Sequence, residues 1–272
     1  SPSTKPMIRM CSQQNRPIFV PSFPGSGAEM FRDLIHAITG GIPGWSVYDE
    51  IDLAKNTTCH AAHAATCKTH WPVLPHRSPS NPGWLPHYHN RAIVLLRNPA
   101  KAFASRRNHL WENSHGLAFH SQQAPERAWN RWIRKMFREQ IRQYADFVRQ
   151  WATHPHYNVA LYLQYEQLVN ESTAPGLLRR VGAELLNAQV PHVASRLEDV
   201  QCLWTQCVRL RPRKKRAAHS YVPGYTRKQQ QDLLDMLRNL IGEFNGIPDL
   251  VAILQSYIRD ISSNQTRLVD AA

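Results

Sequence analysis

The chain has 272 residues, 42% of them hydrophobic, and a formal net charge of +13 with its 14 histidines counted as neutral. That length and apolar content suit one α/β domain of catalytic size. Five cysteines are too few for a disulfide-framework mini-protein, and none is set in paired CxxC metal spacing. The positive field favours anionic partners, whether phosphates, acidic glycans, nucleic acid or anionic lipid, without choosing among them.

The cysteines are Cys11, Cys59, Cys67, Cys202 and Cys207, so one stays unpaired if all the others bridge. Asn-x-Ser/Thr sequons at Asn56, Asn170 and Asn264 tilt the compartment towards the secretory lumen. No apolar run is long enough to span a membrane. The Ser1-Pro2-Ser3-Thr4 start, without Met, suggests a trimmed chain whose anchor was removed.

In chain order, residues 1 to 16 read as a polar extension. Residues 17 to 23 read as a short buried strand that runs into Pro24, Gly25, Ser26 and Gly27. Met30, Phe31, Leu34, Ile35 and Ile38 then recur at helical spacing until Gly40-Gly41. Residues 41 to 90 read as loop, apart from a short strand ending near Cys67 to His70. The unbroken apolar run Ala92 to Leu96 predicts a central parallel strand closed by Arg97-Asn98-Pro99, with a helix following through Ser105.

A long helix is expected from Pro125 to about Trp151, with Trp129, Trp132, Ile133, Met136, Phe137, Tyr144, Phe147 and Val148 facing the core. Asn158 to Leu163 predicts a further strand ending at Tyr165-Glu166, and helices dominate after residue 174. Strands alternating with helices imply an α/β fold with a central parallel sheet flanked by helices and ligands at the strand carboxyl ends. One domain is expected over residues 17–260, with polar extensions at 1–16 and 261–272.

A Gly-rich turn between strand and helix exposes backbone N–H groups at the positive end of the helix dipole, where a phosphate is well held. Pro24 to Gly27 fits that description, whereas the GxxxxGK[ST] pattern of nucleoside triphosphatases is absent. Ser22-Phe23-Pro24-Gly25-Ser26-Gly27 resembles the 5′-phosphosulfate loop of sulfotransferases that use PAPS, 3′-phosphoadenosine 5′-phosphosulfate. Arg97-Asn98-Pro99, with Ser105 eight residues after the Arg, resembles their 3′-phosphate signature. Lys68-Thr69-His70 and Tyr165-Glu166-Gln167-Leu168 resemble two further segments of that family, and order and spacing agree across residues 17 to 168.

The resemblance implies a P-loop-like three-layer fold, PAPS as co-substrate and no metal. It implies His70 as general base and Lys68 as the cation at the sulfuryl group. Pro24, Gly25, Ser26, Gly27, Ala28 and Glu29 would form the phosphosulfate loop, Arg97 and Ser105 would hold the 3′-phosphate, and Tyr165 would lie against adenine. In a late basic run, Arg211, Arg213 or Lys214 would close over the 3′-phosphate; a solvated run, a processing site or a polyanion patch stands equally open there.

Many cytosolic members carry Lys where this chain has Gly25, and two hydroxyl residues and a Trp at Ala28, Glu29 and Met30. Glu29 is expected to bring negative charge to the phosphosulfate. The loop is closer to the Golgi carbohydrate branch that includes WSC-domain-containing sulfotransferases, where Arg32 corresponds to the helix Arg, although Ala28-Glu29 departs from that branch too.

The implied activity is sulfuryl transfer to a carbohydrate or glycoprotein hydroxyl in the Golgi lumen. No nucleic acid partner is expected, and membrane attachment only through an anchor outside this chain. The alternatives are a catalytically weak sulfotransferase-like domain and a basic polyanion-binding module. A metal hydrolase built on His60, His63, His87 and His89 is disfavoured by short spacings, the absence of HExxH and the scarcity of nearby acids.

Overall fold

The computed structural model describes residues 17–41, 44–46, 65–70, 72, 91–118, 120–153, 158–190, 193–210 and 221–263. Strands β1 (Ile18–Pro21), β2 (Gly44–Ser46), β3 (Thr66–Thr69), β4 (Arg91–Leu96) and β5 (Asn158–Gln164) form one sheet in the order β2-β3-β1-β4-β5, every pair parallel. Helices α1 (Ala28–Ile38), α2 (Pro99–Ser114) and α3 (Glu126–Ala152) connect strands. After β5 come α4 (Tyr165–Leu168), α5 (Ala174–Asn187), α6 (Val193–Arg196) and α7 (Val200–Trp204), then a π-helical turn (Thr205–Arg209), α8 (Arg227–Glu243) and α9 (Pro248–Ser262).

The sheet is apolar on both faces because strand side chains alternate. Ile18, Val20, Ile93, Leu95, Leu161 and Leu163 pack with Phe31, Leu34 and Ile35 of α1 and with α5. Phe19, Ala92, Val94, Leu96 and Tyr162 face the other way, onto α2, α3, α8 and α9. A register shift between Ala92 and Ile93 keeps the alternation in phase. Val159 packs on the α3 side and Leu161 on the α1 side, opposite faces for residues that a regular strand would keep on one. The result is an α/β fold with helices on both faces of a parallel sheet.

Two differences from the sequence expectation have physical reasons. β2, three residues long, carries too little sequence for a period-2 pattern to show. α2 continues to Ser114 rather than ending near Ser105 because polar contacts hold its second half, where apolar periodicity is thin. Buried Glu112 accepts the N–H groups of His120 (2.8 Å) and Gln122 (3.0 Å), and Asn108 accepts that of Ala124 (3.0 Å). At the other end of the chain Ile261 is buried in the core, so the folded region reaches past residue 260. Among the described residues no helix is long and apolar enough to cross a membrane.

β1 and β4 are neighbours whose following chains depart in opposite senses, β1 towards β2 on the α1 face and β4 towards β5 on the α3 face. In an open parallel sheet this switch point leaves a crevice at the strand carboxyl ends. Phe23, fully buried just after β1, anchors the chain there against Tyr144 (5.1 Å), Phe103 (5.7 Å) and Phe147 (6.3 Å). Burying one such ring contributes about 1.5–3 kcal/mol.

Candidate functional site

The turn after β1 lies in that crevice. Gly25 (φ 92°) and Gly27 (φ 86°) both take the left-handed conformation that glycine alone adopts without strain. Neither position has room for a side chain: a Cβ at Gly25 would meet the α2 backbone at Ala102 and Arg106, and one at Gly27 would enter the Tyr165 ring. Ser26 N–H donates to Phe23 O (3.0 Å), and the α1 ladder begins with Phe31 N–H to Gly27 O (3.1 Å). The N–H groups of Ala28, Glu29 and Met30 therefore precede the ladder and, with the helix dipole, present positive potential to the crevice. Ser26 is fully buried and its Oγ has no partner. Such an orphan costs about 1–3 kcal/mol, which an oxygen-rich ligand in the turn would offset.

Arg97, at the end of β4, donates from Nη1 to Gly25 O (2.7 Å), and its guanidinium lies over the Tyr165 ring at 4.3 Å. Its Nε is buried without a partner. The corner carrying it is rigid. Tyr144 Oη donates to Arg97 O (2.9 Å), Asn98 N–H donates to Glu166 Oε1 (3.1 Å), and Asn98 Oδ1 caps α2 by accepting from Ala100 N–H (3.0 Å). Tyr225 Oη donates to Ala100 O (2.7 Å). Burial raises the Glu166 carboxyl above the usual range against the opposing effects of Asn98 and Arg97.

From the other side β3 brings Lys68 and His70. The Lys68 side chain is 14% exposed and its Nζ donates to Glu29 Oε1, while Arg32 donates to Glu29 Oε2 at 2.6 Å. Partial burial opposes ionisation of Glu29, but Lys68 and then Arg32 outweigh it and hold the carboxyl below its ordinary value. The structure thus refines the expectation for Glu29: its negative charge is matched by Lys68 and Arg32.

His70 Nδ1 lies 2.6 Å from Ser22 O, a contact that requires a proton on Nδ1, so the neutral ring carries its lone pair on Nε2. Burial, reinforced by the Lys68 charge, lowers the His70 pKa to about 4. At neutral pH the ring is an uncharged acceptor set beside cations.

Of the residues singled out from sequence, Pro24, Gly25, Ser26, Gly27, Ala28, Glu29, Arg32, Lys68, His70, Arg97 and Tyr165 meet around this crevice. Ser105 lies on α2, half-buried, one turn beyond the Ala102 carbonyl that closes on Gly25. Arg211, Arg213 and Lys214 lie outside the described residues, as do His60, His63, His87 and His89. The flanks of that basic run fall on opposite faces of the sheet: Val208 packs on the α1 side, Tyr221 and Tyr225 on the α2 side.

Roles that sequence reasoning missed include those of the Ser22 carbonyl, which orients His70, and of Tyr144 and Glu166, which fix the Arg97 corner. Arg106 was missed too: it bridges α2 to Gln140 (2.9 Å) and Gln143 (2.7 Å) of α3 and adds positive charge near His70. The sole signal for Arg106 was its place directly after Ser105.

Two open clefts elsewhere suit an anion less well. One is lined by Trp204, Val208, Glu171 and Arg209, the other by Glu139, Arg142, Asp146 and Arg149, and both have their arginines already matched to carboxylates. The crevice combines backbone donors, cations, a stacked Tyr–Arg pair and a neutral imidazole, which suits an anionic nucleotide and proton removal from a neighbouring hydroxyl. No protein-family model and no curated protein matches this chain.

Proposed function

We propose that this chain is a PAPS-dependent sulfotransferase on a P-loop-like fold, acting on a hydroxyl of a carbohydrate or glycoprotein. The observation that carries the proposal is the convergence, at the β1–β4 switch point, of the glycine turn, Arg97 on Tyr165, and the Lys68–His70 pair. β1 is the central strand and feeds the glycine turn directly, as a P-loop-like fold requires. The buried orphans Ser26 Oγ and Arg97 Nε fit a bisphosphorylated nucleotide, and the two glycines let the turn close tightly against α2 and the Tyr165 ring.

His70 Nε2 takes the proton of the acceptor hydroxyl as its oxygen attacks sulfur in line. The new O–S bond forms as the bond from sulfur to the bridging oxygen breaks, and the electron pair leaves on the nucleotide phosphate. Lys68 and the turn N–H groups stabilise the charge that builds there. Arg97 and Ser105 hold the 3′-phosphate, and Tyr165 flanks the adenine. The acceptor class and a Golgi lumenal location, with any anchor outside this chain, belong to the same proposal. The exposed Asn170 sequon, on a turn where Oδ1 accepts from Ser172 N–H at 2.9 Å, is compatible with that compartment.

Calorimetric titration with adenosine 3′,5′-bisphosphate, with ATP as control, tests the nucleotide site. Binding of the bisphosphate at least about 100-fold tighter than ATP is expected, a difference of about 2.7 kcal/mol. No binding by the folded chain would overturn the enzyme and leave a polyanion-binding module.

Glu29 favours a second reading, a catalytically weak member, because its carboxylate already occupies Lys68 and Arg32. Glu29→Gln is then expected to tighten bisphosphate binding about 10-fold, since the ligand no longer displaces an internal anion. Unchanged or weaker binding in the same titration would show that Glu29 positions the cations rather than competing for them.

A further inference from the structure

Several exposed cations on this protein are matched one to one with acids: Lys101 with Asp260, Arg180 with Asp249, Arg209 with Glu171 and Arg238 with Asp235. The first half of α3 differs in gathering its exposed cations on one face. Arg127, Arg131, Arg134, Lys135, Arg138 and Arg142 are all exposed. At 100° per residue they fall within a sector of about 100°, opposite the face carrying Trp129, Ile133, Phe137 and Tyr144. Arg142 is paired, with Glu139 and Asp146, and Arg134 Nε donates to Asn130 O. Arg127, Arg131, Lys135 and Arg138 take no acidic partner among the described residues. Like charges stand four apart at 127/131, 131/135, 134/138 and 138/142, a repulsion that destabilises a free helix.

We propose that this stripe is a docking track for a linear acidic glycan carrying sulfate or carboxylate groups. A cation at every turn over a length of about 22 Å matches an extended chain with regularly spaced anions. Five of the six are arginines, whose forked donors fit sulfate and carboxylate bidentately. The face offers charge alone. The α3 aromatics point into the core, so it lacks the stacking platform of a single-strand nucleic acid site, and it has no amide side chains for reading base edges. The track stands on α3 without the nucleotide site and depends on the sulfotransferase reading only in making the acceptor an already acidic glycan. Arg106 links the two places, since its backbone abuts Gly25 and its guanidinium reaches Gln140 and Gln143 of α3.

The test measures binding of a heparin oligosaccharide across a salt series for the full chain and two variants. One carries Arg131→Gln, Arg134→Gln, Lys135→Gln and Arg138→Gln. The other carries Arg179→Gln, Arg196→Gln, Arg227→Gln and Lys228→Gln, an equal charge loss at exposed positions elsewhere. The stripe variant is expected to bind about 30-fold more weakly, with the log–log salt slope reduced by about three, and the control to change about two-fold or less. The stripe variant is also expected to melt no lower than the parent, because like-charge repulsion is removed.

Equal losses in both variants would overturn the track, as would retention that instead follows neutralisation of residues 211–216. Equal or tighter binding of duplex DNA with the same stripe dependence would overturn the glycan assignment. Bisphosphate calorimetry on the same proteins keeps the two proposals apart: intact nucleotide binding with no stripe effect sinks this one alone.

Discussion

Replacing His70 with Ala is expected to lower kcat/KM for sulfuryl transfer about 1000-fold, while adenosine 3′,5′-bisphosphate affinity stays within about two-fold. The Ser22 carbonyl holds Nδ1 protonated and so leaves Nε2 as the proton acceptor. Burial and Lys68 bring the pKa to about 4, so the base remains neutral well below physiological pH. The acid limb of kcat/KM, which reports the free enzyme, is expected near pH 4 rather than near the ordinary histidine value of about 6.5.

Stability carries the same signature. Between pH 4 and 6.5 the unfolded chain binds a proton on this ring that the folded chain refuses. The contribution is therefore fully present above 6.5 and is lost as pH falls through the window, to a total on the order of 3 kcal/mol. Denaturant titrations across that range should show a steeper acid loss in the parent than in the His70→Ala variant. An acid limb near 6.5, or a variant with parental turnover, would remove His70 from the role of base.

The parts of this site visible in sequence share a cause. Gly25, Gly27 and the Arg97-Asn98-Pro99 corner are local devices, in which residue type dictates backbone conformation or ends a strand, and local devices can be read from a few neighbours. The apolar run of β4 and the aromatic face of α3 were legible for the same reason, because period and burial are one-dimensional signals. Three things were not. β2 is too short to carry a period. The second half of α2 is held by Glu112 and Asn108, whose partners lie in the following turn and leave no mark on apolar spacing. The pairing of Glu29 with Lys68 joins residues 39 apart and exists only because β3 lies beside β1. Sequence placed a negative charge at the turn with Arg32 one helical turn on; only the sheet order adds Lys68 to neutralise it.

Arg97→Ala is expected to weaken binding of adenosine 3′,5′-bisphosphate about 100-fold, the worth of a charge-assisted forked contact to phosphate. Arg97 also braces the turn through Gly25 O and stacks on Tyr165, so a loss of affinity alone does not separate phosphate recognition from loop support. Adenosine 5′-monophosphate, which lacks the 3′-phosphate, makes the separation. If Arg97 binds that phosphate, the parent prefers the bisphosphate by about 100-fold and the variant erases the preference, with monophosphate affinity nearly unchanged. If Arg97 only supports the turn, both nucleotides weaken together and the preference survives. Arg97→Lys sharpens the comparison, because it keeps the charge but not the planar fork that can lie on Tyr165 while also reaching Gly25 O. Partial recovery of the preference in Lys would assign the rest to fork and stacking geometry, and none would make that geometry, held by Tyr144 and the Asn98–Glu166 contact, the determinant of 3′-phosphate recognition.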